Sequence, residues 1–188
     1  ETDYTTPAVD GSWYYYRRTL EGKSYPVHVR APVDVDGDGD GDVNVPKKKG
    51  RFAHPTIAWD ATHPSAATQP ILPGEQIYLD ENALAAGHDY CATGTVAESP
   101  SHGLVAYTVD YSGDETYGLW IKDIGSGNVV DHQEGLEIDS TVRWGHDDKT
   151  LFYLKMDEQH RPYQVYRRQI RSASGGGGGA TGGGATGG

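Results

Sequence analysis

The chain has 188 residues, enough for one ordinary domain, with a net charge of −11 and a mean hydropathy of −0.65. That balance lacks the basic face a nucleic-acid binder needs, and no apolar run approaches the ~20 residues that span a bilayer. A single cysteine, Cys91, excludes an internal disulfide and agrees with a reducing, cytoplasmic compartment.

In chain order, Trp13–Arg18 and Tyr25–Arg30 alternate in polarity and are rich in aromatic and β-branched residues. Glu21-Gly22-Lys23 supplies turn chemistry between them, so the segment predicts a β-hairpin. Pro26 inside the second strand predicts an edge position or a bulge. From residue 31 to 74 no period of 2 or 3.6 persists, and the stretch reads as a disordered surface insertion or linker. Glu75–Leu79 reads as a short strand, and Asp80–Gly87 as a capped helical turn ended by glycine. Strands are then expected at Thr93–Ala97, Leu104–Asp110, Tyr117–Ile124 and Val129–His132, joined by short turns as one antiparallel blade. A second set follows at Thr141–Trp144, Leu151–Met156 and Tyr163–Ile170, and lacks a fourth strand. The segment 172–188 is dominated by a Gly-rich tail holding 10 of the 26 glycines; it has no side chains to form a core and reads as disordered.

The last two sets repeat at an offset of 46 residues. Tyr107 and Tyr117 match Tyr153 and Tyr163, Leu119 matches Val165, Val96 matches Val142, and Ile124 matches Ile170. Tyr15 and Tyr25 reproduce the ten-residue spacing 92 residues before Tyr107, which reads as coincidence because the insertion holds no matching strands. A period in the forties with several strands per unit marks a β-propeller. The fold expected is all-β: a partial β-propeller of two to three four-stranded antiparallel blades. First propeller strands span 1–30 and blades span 75–171, divided at about 92–137 and 138–171. A ring needs more blades, so the chain reads as a piece of something larger, with open edges and poor stability alone.

Motifs that could carry chemistry are incomplete. Asp34, Asp36, Asp38 and Gly39 match the first half of an EF-hand loop, but the twelfth places hold Val45 and Lys47 where a bidentate Glu is required. No Gly-x-Ser-x-Gly elbow and no His-Glu-x-x-His pair occurs, and each of the eight histidines reads as a turn or surface residue. Tyr14–Tyr16 and Trp120 could line a groove, but strand spacing favours packing between blades. No residue is assigned a catalytic, cofactor-binding or metal-binding role, and no cofactor is expected.

Several strings carry a resemblance. They are Trp13-Tyr14-Tyr15-Tyr16-Arg17-Arg18-Thr19, Leu79-Asp80-Glu81-Asn82-Ala83-Leu84, Gly87-His88-Asp89-Tyr90 and Arg161-Pro162-Tyr163-Gln164-Val165. Over about 1–30 and 75–171 the chain resembles the N-terminal region of the oligopeptidase B (protease II) branch of the prolyl oligopeptidase family. The resemblance implies a seven-bladed propeller that covers a C-terminal α/β-hydrolase domain, which bears a Ser–Asp–His triad and cuts oligopeptides after Arg or Lys. It implies that the partners are this hydrolase domain and peptide substrates, with no nucleic acid and no membrane, and that this chain alone is inactive. A non-catalytic propeller binding module, or the relic of a gene fragment, is the alternative. A calcium-responsive acidic segment is a third reading.

Overall fold

The computed structural model describes residues 3–33 and 71–170. The Asp34–Asp42 run and the Gly-rich tail, with the expectations placed on them, lie outside the described residues. The chain divides between Cys91 and Ala92 into two compact units.

The first unit is an antiparallel sheet of β1 (Ala8–Asp10), β2 (Trp13–Thr19), β3 (Pro26–Pro32) and β4 (Gln76–Asp80), in that order, followed by the short helix α1 (Glu81–Ala85). Tyr14 faces Ala31, Tyr16 faces Val29 and Arg18 faces Val27 across the hairpin. Strand alternation therefore gathers these six on one side. Tyr16, Val27, Val29 and Ala31 form a buried cluster closed by Leu72, with Ile71 packed against it. The break expected over 31–74 is thus narrower in space: Ala31 and Pro32 belong to β3, and Leu72 is core. Pro26 is not at a sheet edge. It opens β3, which lies between β2 and β4, and a first strand residue can forgo its amide hydrogen bond. The β3–β4 irregularity falls later, between His28 and Val29.

Asp80 caps α1 by accepting from the Asn82 amide at 2.8 Å. The Asn82 side chain then pairs with the backbone of Tyr25, donating to its carbonyl at 2.8 Å and accepting from its amide at 3.0 Å. A side-chain amide thereby stands in for a strand partner just ahead of β3.

The second unit is a six-stranded antiparallel ladder: β5 (Ala92–Glu98), β6 (Leu104–Asp110), β7 (Tyr117–Asp123), β8 (Val129–Trp144), β9 (Thr150–Met156) and β10 (Pro162–Gln169). β8 is one strand of 16 residues where two separate strands were expected. Its first part pairs with β7, and its last part, Val142–Trp144, pairs with β9. Gly135 and Glu137 take positive φ (63° and 51°) between the two parts, so the strand turns from one blade into the next without a loop.

The 46-residue repeat is kept in the pairing itself. Val96 faces Tyr107 as Val142 faces Tyr153, and Tyr107 faces Trp120 as Tyr153 faces Tyr166. Both ring pairs stack, at centroid distances of 6.1 and 5.7 Å. The first hairpin differs: Tyr15 faces Arg30, two residues away from the register that the repeat would need.

The core of this unit lies between its two blades. Ala106, Leu119 and Ile121 from the first pack with Val142, Leu151 and Tyr153 from the second, and all six are buried. Thr108 Oγ1 donates to the Ser140 carbonyl at 2.8 Å, and Trp144 Nε1 donates to the Ala97 carbonyl at 2.9 Å. Gly94 makes this closeness possible, because a Cβ there would lie 2.5 Å from Thr108 Oγ1 and 2.6 Å from Ser140 Cβ.

Candidate functional site

Three kinds of polar construction could carry function. The first is a set of buried charges in the first unit. Arg18 Nη1 donates to Glu75 Oε1 at 2.8 Å, both side chains being almost fully buried. Glu75 Oε2 accepts from the Tyr16 hydroxyl and, at 3.0 Å, from the Ile71 amide. One carboxylate thereby ties β2 to the chain entering β4. Burial, then the hydrogen bond and charge of Glu75, push the Tyr16 hydroxyl far above its ordinary pKa, so it acts as a donor and not as an acid. On the opposite side of the sheet, His28 Nε2 lies 2.7 Å from Glu81 Oε1 and edge-on to Tyr78. Arg30 stacks on Trp13 at 4.0 Å and donates to Gln76 Oε1. His28 is therefore a buried strand residue and not a turn or surface histidine; the hydrogen bond with Glu81 compensates its burial.

The second construction is a series of carboxylates that fold the turns. Burial would raise the Asp110 carboxyl, but hydrogen bonds from Ser112 and from the Gly113 and Glu115 amides outweigh it and hold the group below the usual range. Asp147 and Asp157 are lowered chiefly by backbone amides, of Lys149 and Arg161 respectively. These acids serve as turn caps.

The third is an open cavity of about 570 Å³ in the second unit, lined among others by Asp114, Glu137, Lys155, Asp157, His160 and Tyr163. Asp114 and Asp157 are both held ionised there, the first mainly by the Ser112 hydroxyl. No group of three or more His, Cys, Asp or Glu able to hold a metal ion occurs among the described residues. No helix among them is long and apolar enough to cross a membrane.

The aromatic residues considered for a groove pack within their own units. Tyr16 is buried on Val29 and bonded to Glu75, while Trp120 stacks on Tyr107 of the adjacent strand and meets Tyr111 edge-on. Sequence reading did not find the Arg18–Glu75 and His28–Glu81 pairs. Their partners stand 57 and 53 residues apart, and no local period signals such a pairing.

Residues 1–174 match the family described as "Prolyl oligopeptidase, N-terminal beta-propeller domain". The chain is 30% identical over 159 residues to dipeptidyl aminopeptidase BI of Pseudoxanthomonas mexicana, covering 85% of this chain and 19% of that protein. It is similar in structure to oligopeptidase B from Leishmania major, with a TM-score of 0.66 and 28% identity over 90% of this chain and 19% of the other. Oligopeptidase B from Trypanosoma brucei, in a closed form with covalently bound antipain, gives a TM-score of 0.63 and 33% identity over 93% of this chain and 20% of the other. The chain thus spans about a fifth of the length of these relatives. A 46-residue repeat with continuous blade-to-blade pairing and these likenesses agree, and the chain belongs to the prolyl oligopeptidase family as part of its N-terminal β-propeller.

Proposed function

We propose that this chain is the propeller segment of an oligopeptidase B-like serine endopeptidase that hydrolyses oligopeptides after Arg or Lys. In this reading the rest of the native protein supplies further blades and the C-terminal α/β-hydrolase domain. The propeller limits access to the active site, and the enzyme works in the cytoplasm. The chain's own residues take no catalytic, metal or cofactor role; they build and close blades. The observation that carries the reading is the repeat. One copy has its inward face covered by the next blade, and the other copy leaves the same face open, with Val165 70% exposed where Leu119 is fully buried. A face of that composition is built to be covered.

The test compares this polypeptide with the native-length protein on fluorogenic peptides carrying Arg, Lys or Pro before the scissile bond. The expected result is cleavage after Arg and Lys by the native-length protein and no turnover by the 188-residue chain. Robust turnover by the chain alone, or a preference for Pro, contradicts the proposal.

A further inference from the structure

The open face of the second blade carries a row of residues that its counterpart in the first blade does not. Arg143, Phe152 and Arg167 stand directly opposite one another on β8, β9 and β10. The same row 46 residues earlier is Ala97, Ala106 and Ile121, in the same pairing. Those three pack in the core between the blades. Arg143, Phe152 and Arg167 are all exposed, and the adjacent pair on their face is Leu154 and Val165. The face therefore combines an apolar strip with two arginines whose strands lie about 9.5 Å apart, two strand spacings.

Arg143 donates to the Val142 carbonyl at 2.9 Å, and among the described residues neither arginine meets a carboxylate. Contrast Arg168 on the opposite face of β10, which is paired with Asp131 at 2.7 Å. An apolar surface like the one that covers Ala97, Ala106 and Ile121 cannot cover Arg143 and Arg167. It would bury two like charges without partners, and the guanidinium group cannot escape by losing its proton. A surface of carboxylates alone would leave Phe152, Leu154 and Val165 against charge.

We propose that the β9–β10 face docks a further antiparallel sheet of the native protein that bears carboxylates opposite Arg143 and Arg167 and apolar side chains opposite Phe152 and Val165. This inference rests on the propeller reading above and adds the chemistry of the next junction. The junction within this chain is apolar, whereas the one at β10 is ion-paired. Planar guanidinium groups donate two parallel hydrogen bonds to a carboxylate, so the two arginines also fix how the covering sheet is placed along the strands.

The test is the structure of the native-length protein together with two paired variants. The expected structure shows a sheet on this face with a carboxylate within about 4 Å of each guanidinium. A covered face without those carboxylates overturns the inference and leaves the propeller reading intact. An uncovered face overturns both. In the variants, Arg143→Glu with Arg167→Glu should speed limited proteolysis near β10 about tenfold, because cleavage follows the population of the open form. Arg143→Lys with Arg167→Lys should stay close to wild type, and high salt should narrow the gap between the two variants. Equal protease sensitivity of the Glu and Lys pairs would show that the charges have no partner.

Discussion

The two blades of the second unit share a pairing register residue for residue, yet only one has its forward face buried. In the first, Thr108 faces Leu119 and both are fully buried; in the second, Leu154 faces Val165 and Val165 is 70% exposed. Backbone pairing and ring stacking are the same in both, so these do not decide burial. What differs is the next sheet. The first blade is followed by Val142, Leu151 and Tyr153, and β10 has no strand beyond it among the described residues. The lesson is that a blade forms its ladder locally and gains most of its burial from its neighbour.

Substitutions can break this contrast. The largest effect is expected for Leu119→Ala, which removes a fully buried side chain and should cost about 2–5 kcal/mol in urea unfolding. Val165→Ala in the same polypeptide should fall within about 0.5 kcal/mol of wild type, as exposed sites usually do. Similar costs at the two positions would remove the distinction. Gly94→Ala should come next, at about 1–3 kcal/mol, because its Cβ meets Thr108 and Ser140 across the blade junction. A thermal shift assay of that variant checks it, and no loss would mean that the blades can separate freely.

Titration sharpens the comparison further. Burial pushes the Tyr107 hydroxyl up to about 12, with Tyr111 adding to it. The folded value is above the unfolded one of about 10, so the stabilisation is complete below pH 10 and is lost as pH rises toward 12. Ultraviolet titration of tyrosine with circular dichroism should show ionisation of Tyr107 only as the sheet unfolds, and Tyr107→Phe should reduce that alkaline loss. At the acid end the sign reverses. Asp110, Asp147 and Asp157 are held below their ordinary values, so their contribution is full above about pH 4 and fades as pH falls through the lowered folded values. This is the smallest effect expected, because Asp147 and Asp157 sit in exposed turns. Asp157→Asn should flatten the acid limb less than Asp110→Asn.

Much of this architecture was legible in the sequence, for physical reasons that can be named. Strands such as Leu104–Asp110 and Tyr117–Asp123 announce themselves by β-branched and aromatic residues between turn formers. The repeat showed through Tyr107 and Tyr153 because each ring must stack on a partner one strand away. β1 did not show, since three exposed residues carry no alternation to read. The unbroken course of β8 was also hidden. The sequence predicts separate strands at Val129–His132 and Thr141–Trp144, and only the backbone reveals that positive φ at Gly135 and Glu137 bends one strand while pairing resumes beyond it. Leu72 looked like part of a Pro- and Gly-rich linker, but lands on the Val27–Val29 core through contacts that no local period encodes.

The most direct test of the central claim, that the β9–β10 face is a blade junction awaiting its neighbour, is hydrogen exchange on the 188-residue chain and on the native-length protein. The β7 amides should be protected to the same degree in both, and the β10 amides should gain protection only in the native-length protein. Equal exchange of β10 in the two proteins would contradict the account.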